Sequence, residues 1–232
     1  MQVKVGIVEN RARGTAAGAA LLAAVLSGCA GPDGSHAPDG RAHPSASAMV
    51  RTAASGGTVG TAGSSCELPV TFALAKNWKA KGVDAETELA KASSGPDGDL
   101  SASLADLFLR QGPVTAACEI DAKPAGHIGF LRVWTGGPDD TDARAVLRAF
   151  VAAEEDVSKE RYHTFTTPTG LSGVEAEYVT TSKLLDETRK QRALAVATPD
   201  GPVVLHLGGL DSEEHEAMLP AYELAKQTLR VT

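Results

Sequence analysis

Three cysteines and six histidines carry most of the reactive potential of this 232-residue chain, and their spacing limits what they can do. Zinc sites draw on closely spaced pairs such as His-x-x-x-His or Cys-x-x-Cys, and neither occurs; His127, His163, His206 and His215 are scattered. Ser172 stands in "GLSGVE", without the Gly-x-Ser-x-Gly spacing of a nucleophile elbow. Asp139, Asp140 and Asp142 in "PDDTDAR" lack the alternating acids and distal Glu of a calcium loop. Placed just before a helix, they read as caps that favour its dipole. No catalytic, cofactor-binding or metal residue is assigned, and the protein is expected not to be an enzyme. The enzymatic alternative is a hydrolase whose site is assembled from distant residues, with His206, His163 and Ser172 as candidates.

Cys29 asks for different chemistry. Met1–Gly14 carries Lys4, Arg11 and Arg13; Thr15–Leu26 is uncharged and rich in Ala, Leu and Val; Ser27 and Gly28 are small. This is the layout of a secretory signal. Its apolar run is about a dozen residues, where a membrane-spanning helix takes about 20. Leu26-Ser27-Gly28-Cys29 resembles the bacterial lipobox. The resemblance implies cleavage between Gly28 and Cys29, a diacylglyceryl thioether on Cys29 and an acylated new amino terminus, hence palmitate-type chains. Two or more acyl chains anchor stably where one binds marginally. The alternative is an ordinary signal with a coincidental cysteine. Arg11-Ala12-Arg13 is not an Arg-Arg pair, which favours general secretion over twin-arginine export. The expected location is the outer face of the cell membrane.

With Cys29 acylated, Cys66 and Cys118 remain. An exported compartment is oxidising, so the pair reads as a disulfide. A buried Cys118 beside a free Cys66 thiol is the other reading.

The chain carries 22 Lys and Arg against 29 Asp and Glu, a net charge of −7. Removing residues 1–28 takes away Lys4, Arg11, Arg13 and Glu9 and leaves −9. Nucleic-acid affinity comes largely from cations on phosphates, so a nucleic-acid partner is excluded.

These residues must be positioned by the remaining elements. Residues 29–65, the lipidated cysteine and a Gly, Ala, Ser, Pro and Thr-rich stretch, read as a flexible tether without enough large side chains to offset its ordering entropy. Residues 66–232 read as a single domain. Strands are expected at 70–74, 114–120, 127–135, 162–167, 173–181, 193–198 and 203–207, with Asp200-Gly201 as a hairpin turn. Ser101 or Ser103 is expected to cap a short helix over 104–110. Ala143, Val146, Leu147, Phe150, Val151 and Val157 share one face of the clearest helix, and a final helix starts at Ser212, with Pro220 expected to kink it. Lys183–Arg192 reads as a charged hairpin loop or short helical insertion. The fold class is α+β: a mostly antiparallel sheet sandwiched by a long central helix and a C-terminal helix.

"LPVTFALAKNWK", the central helix, "GVEAEYVT" and "AYELAKQTLRV" together resemble the PsbP-like fold, which includes actinobacterial envelope lipoproteins of the LpqN type. The resemblance implies a binding or adaptor module and names no ligand. The expected partners are the membrane, through lipid on Cys29, and an envelope protein, cell-wall component or small ligand held between sheet and helix. An accessory subunit of a transporter or cell-wall complex is the remaining alternative.

Overall fold

The computed structural model describes residues 51–95 and 97–232; Gly28, Cys29 and the signal segment lie outside them. Two sheets and four helices make up an α+β fold, as the residue pattern predicts. Strands β3 (Lys79–Gly82), β4 (Arg110–Gln111), β5 (Val114–Asp121), β6 (Gly129–Thr135), β7 (Ser158–Thr166), β8 (Ser172–Ser182), β9 (Glu187–Thr198) and β10 (Gly201–Gly209) form the large sheet. Its order is β3-β5-β6-β10-β9-β8-β7, with β4 also paired to β5, and every pairing is antiparallel. A small sheet has the order β1-β2-β11, from Ser55–Val59, Val70–Ala75 and Arg230–Val231.

Alternation of side chains along the strands sends two sets of apolar residues to opposite faces of the large sheet. On one face Val114, Ala116, Trp134, Ala176, Tyr178, Ala193 and Val204 meet helix α3 (Ala143–Ala152). On the other, Cys118, Ile120, Leu131, Val133, Leu194, Val196, Leu205 and Leu207 meet helix α4 (Ser212–Thr228) and the small sheet. Asp142 caps α3 by accepting from the amides of Arg144 and Ala145, and Asp211 caps α4 through those of Glu213 and Glu214. Asp139 and Asp140 take no part in the cap. Helix α3 ends at Ala152, so Val157 joins its core from the following loop rather than from the helix. Helix α4 runs unbroken through Pro220.

The folded region begins ahead of Cys66. Ser55–Val59, placed by composition in the tether, pairs along β2, and Val59 is buried. Small side chains cannot offset ordering entropy by burial, but a partner strand supplies the backbone hydrogen bonds instead. Gly60 explains one glycine of that run: its φ is +101°, and a Cβ there would meet the Val70 carbonyl oxygen at 1.9 Å. Lys183–Arg192 is a hairpin tip followed by the first half of β9, with no helix.

Between β3 and β4 two helices pack together, α1 (Ala85–Ser93) and α2 (Gly98–Leu109). Ser101 and Ser103 lie inside α2, not at its start, because the helix begins four to six residues earlier than the apolar spacing suggests.

Cys66 and Cys118 form a disulfide, with Cα atoms 5.8 Å apart. A β-bulge makes this possible. The β5–β6 register runs Ala116↔Trp134 and then Cys118↔Val133, so Ala117 is an extra residue. It reverses the alternation, and Cys118 turns to the α4 face while Val114 and Ala116 face α3.

Candidate functional site

Strands β7, β8 and β9 carry polar residues at every second position of the face turned to α4: Arg161 and His163, Glu175 and Glu177, Lys190 and Arg192. Helix α4 adds Glu223 and Lys226, one turn apart, which pair at 2.8 Å. Glu175 is at the centre, 1% exposed. Its Oε2 takes hydrogen bonds from Lys226 Nζ at 3.0 Å and lies 2.7 Å from His163 Nε2. The Arg192 guanidinium bridges Glu177 and Glu223, the latter at 3.3 Å. The buried Tyr222 hydroxyl touches the Glu175 carboxylate only weakly, without a hydrogen bond of normal geometry.

Burial raises the pKa of Glu175, but Lys226, Arg192 and Tyr222 together outweigh it and hold the carboxyl below its ordinary value. An ionised carboxylate engaged by cations is a poor proton donor, since a general acid works best with a pKa near the ambient pH. The cluster therefore fixes α4 over the sheet and keeps charge ready in a partly buried setting.

Beside this network, between α4 and β7–β9, runs a groove of about 330 Å³. Lys159, Arg161, Lys190 and Arg192 line it together with Glu177, Glu216 and His215, four cations against two carboxylates in an acidic chain. Arg161 reaches Glu177 at 3.5 Å and Lys190 pairs with Glu216; Lys159 makes no ion pair among the described residues. The backbone helps aim it. The β7–β8 register shifts between Ser158 and Arg161, and Lys159 holds a φ of +56°, a left-handed conformation uncommon for any residue but glycine. A bulge of this kind redirects the side chains around it.

His215 is buried in the wall of the groove, and its Nδ1 has no hydrogen-bond partner. Burial first, then the positive charge of Arg192, pushes its pKa down from 6.5 to about 4. The folded protein thus resists a proton that the unfolded chain accepts below pH 6.5. Stability from this group is complete above that pH and is lost as pH falls toward 4, by about 3 kcal/mol. A His215→Leu variant, of similar volume, is expected to lose about that much less stability between pH 7 and pH 4, read from urea midpoints. Parallel pH profiles for the two proteins would refute the assignment.

The residues weighed for catalysis are not brought together. His206 faces α3, where it meets Phe150 edge-on at 5.5 Å between ring centroids and lies 3.1 Å from Gln191 Oε1. Burial lowers its pKa, with Arg132 adding to the effect and Glu154 opposing it. Ser172 shares that face of β8 with Val174 and Ala176 but stands at the strand's exposed end, its hydroxyl 3.4 Å from that of Thr166. His163 faces α4 against Glu175. No group of three or more His, Cys, Asp or Glu is placed to hold a metal ion among the described residues. A second groove, near the β8–β9 hairpin on the α3 side, is wide and lined by Glu154, Glu155 and Asp156 with Lys183 and Arg189.

Sequence reading missed Glu175, Glu177, Arg192 and Lys226. Their period-2 and one-turn spacings were visible, but alternating charge normally marks a solvated face, and only the cover of α4 buries it.

The chain matches a family described as "Uncharacterised lipoprotein" over residues 36–229. It belongs to that family of lipoproteins. The lipoprotein family carries with it attachment to a membrane. No curated protein sequence matches the chain. Among solved structures it is similar to the solution structure of cyanobacterial PsbP (CyanoP) from Synechocystis sp. PCC 6803, with 13% identity, 71% of this chain and 87% of that chain covered, and a TM-score of 0.43. At that level the likeness says nothing about function.

Proposed function

We propose that this lipoprotein is a non-catalytic binding module on the outer face of the cell membrane, held by lipid on Cys29, and that the groove between α4 and β7–β9 receives an anionic group of its ligand. The observation that carries the ligand reading is the groove lining: Lys159, Arg161, Lys190 and Arg192 gathered around two carboxylates, in a chain whose net charge is −7. Several cations converging on one cleft raise the local positive potential there, and the low-dielectric walls of the cleft focus it on an anion. Nucleic acid is a poor candidate for that anion, since four cations in a groove do not track a phosphate backbone. His163 faces α4 and His206 faces α3, while Ser172 stands at an exposed strand end against Thr166, which supports binding over hydrolysis.

Inorganic phosphate and citrate serve as probes. Each is expected to raise the unfolding temperature of the full chain in proportion to the logarithm of its concentration once it exceeds the dissociation constant. Lys159→Ala/Arg161→Ala should abolish that rise with the ligand-free unfolding temperature kept, since both side chains are on the surface. An equal rise in wild type and variant, or none in wild type, would overturn the groove assignment. The anchor is tested separately by growth with labelled palmitate: label should enter the wild type and not the Cys29→Ala protein. An unlabelled wild type would refute it.

A further inference from the structure

Helix α2 has no buried residue, and Leu100, Leu104, Leu107 and Phe108 are 65%, 49%, 74% and 68% exposed. Positions i, i+4, i+7 and i+8 fall within an arc of about 100° on a helix, so these four make one continuous apolar stripe. Asp99 and Asp106 fall outside that arc, and Leu109 turns away to pack against the α3 core. The neighbouring α1 packs against α2, and Ser101, Ala102, Ala105 and Leu109 are half-buried positions of α2, none of them in the stripe. Scattered exposed leucines are ordinary on a soluble protein, whereas a contiguous apolar patch marks a surface that meets something.

We propose that α2 lies in the lipid–water interface of the membrane that anchors the chain, with Leu100, Leu104, Leu107 and Phe108 inserted among the acyl chains. The inference rests on the Cys29 anchor proposed above. Chain length is what commits the stripe to lipid. From Cys29 to Arg51 there are 22 residues, which span at most about 80 Å in any conformation. A domain of this size has a radius of gyration of roughly 16 Å. The bilayer is therefore always within reach of α2, at a high effective concentration that a second copy of the chain does not share.

The charges nearby define how the helix would bind. Asp97, Asp99 and Asp106 flank it, and Arg110 is paired to Asp106 at 3.0 Å, so anionic headgroups gain no attraction. Insertion is driven by apolar transfer, in which each methylene withdrawn from water favours the bound state about fourfold. Binding should be insensitive to salt and no stronger on anionic than on zwitterionic vesicles.

The test uses the full chain, extracted from membranes and reconstituted into phosphatidylcholine vesicles with and without brominated acyl chains. The indole introduced by Phe108→Trp is expected to lose at least about half its fluorescence to the bromines, the depth of an interfacial helix. The same substitution at Glu88 on α1 should leave its indole unquenched. Adding Leu104→Asp/Leu107→Asp should abolish quenching while the chain still floats with the vesicles. Those residues are outside the core, so the unfolding temperature should hold and show that the fold survives. A floating chain whose Phe108→Trp indole is not quenched overturns the proposal. So does a dimer in detergent that the aspartates dissolve, which would assign the stripe to a second copy. A chain that neither floats nor takes up labelled palmitate fails the anchor reading alone; quenching by excess added vesicles then decides the helix.

Discussion

Replacing Cys66 and Cys118 together with alanine is expected to cost roughly 4 kcal/mol of unfolding free energy by the chain-entropy relation for a closed loop of about 50 residues. The bond joins positions 52 apart in sequence. Both cysteines are buried and packed with Leu68, Val70 and Ile120, so alanine adds a small packing loss in the same direction. Urea unfolding of the oxidised wild type, the reduced wild type and the double variant measures this. The reduced and double-variant proteins should agree within about 1 kcal/mol, because most of the effect lies in the unconstrained unfolded chain. A double variant as stable as the oxidised wild type would show that the bond closes nothing the fold does not already hold. The position of the bond sharpens the expectation. Cys118 pairs with Gly82 on β3, and Cys66 immediately precedes Glu67, which bridges to Gly60. The bond thus ties the β1–β2 connection of the small sheet onto the edge region of the large one. Its loss should open β1 and β3 first, seen as faster amide exchange there than in β8–β10.

The second large effect concerns the buried charges beneath α4. Lys226→Met is expected to destabilise the protein by about 3 kcal/mol at pH 7, because it leaves the buried Glu175 carboxylate without its main cation. Arg192 and His163 remain near the carboxylate, at 3.9 Å and 2.7 Å, and keep the loss from being larger. Glu175→Leu/Lys226→Met should cost much less than the single change, since replacing both partners removes the unpaired charge as well as the attraction. Additive losses across this double-mutant cycle would show that the two residues do not act as a pair.

The pH dependence gives an independent reading of the same pair. In the wild type the Glu175 carboxyl is held below 4.5. Its contribution is present above pH 4.5 and fades as pH falls through the depressed value. Removing Lys226 takes away the largest influence that lowers the carboxyl's pKa and leaves burial, which raises it. The variant's carboxyl is expected to titrate higher than in the wild type and to take up its proton as pH falls. The deficit of Lys226→Met should then shrink as pH is lowered from 7 toward 4.5. A deficit independent of pH would mean that Lys226 contributes packing rather than charge.

These two expectations differ in how far they were legible without coordinates. The pairing of Cys66 with Cys118 follows from compartment logic once Cys29 is set aside, but the backbone that permits it does not. Nothing in "VTAACEID" announces that Ala117 is extra, because a bulge is a property of two strands in register. The same holds for the groove. Arg161, Glu177 and Lys190 each sit in a recognisable strand pattern, but their meeting depends on β7, β8 and β9 being neighbours and on α4 crossing them.

Local order was determined by the sequence alone. Period-2 alternation placed the central strands, the 3.6-residue period placed α3, and Asp142 and Asp211 stand where free helix amides call for a side-chain acceptor. Those signals are local, since each is written within a dozen residues. The tertiary structure decided what local patterns cannot encode. It recruited Ser55–Val59 into a sheet by lending it β2's backbone partners, and turned Cys118 to the α4 face through one bulge. It buried Glu175 under a helix some fifty residues away in sequence. In α2 it did the opposite, leaving a helical apolar stripe without a cover. Burial is a property of neighbours, and neighbours distant in sequence are chosen only when the chain folds.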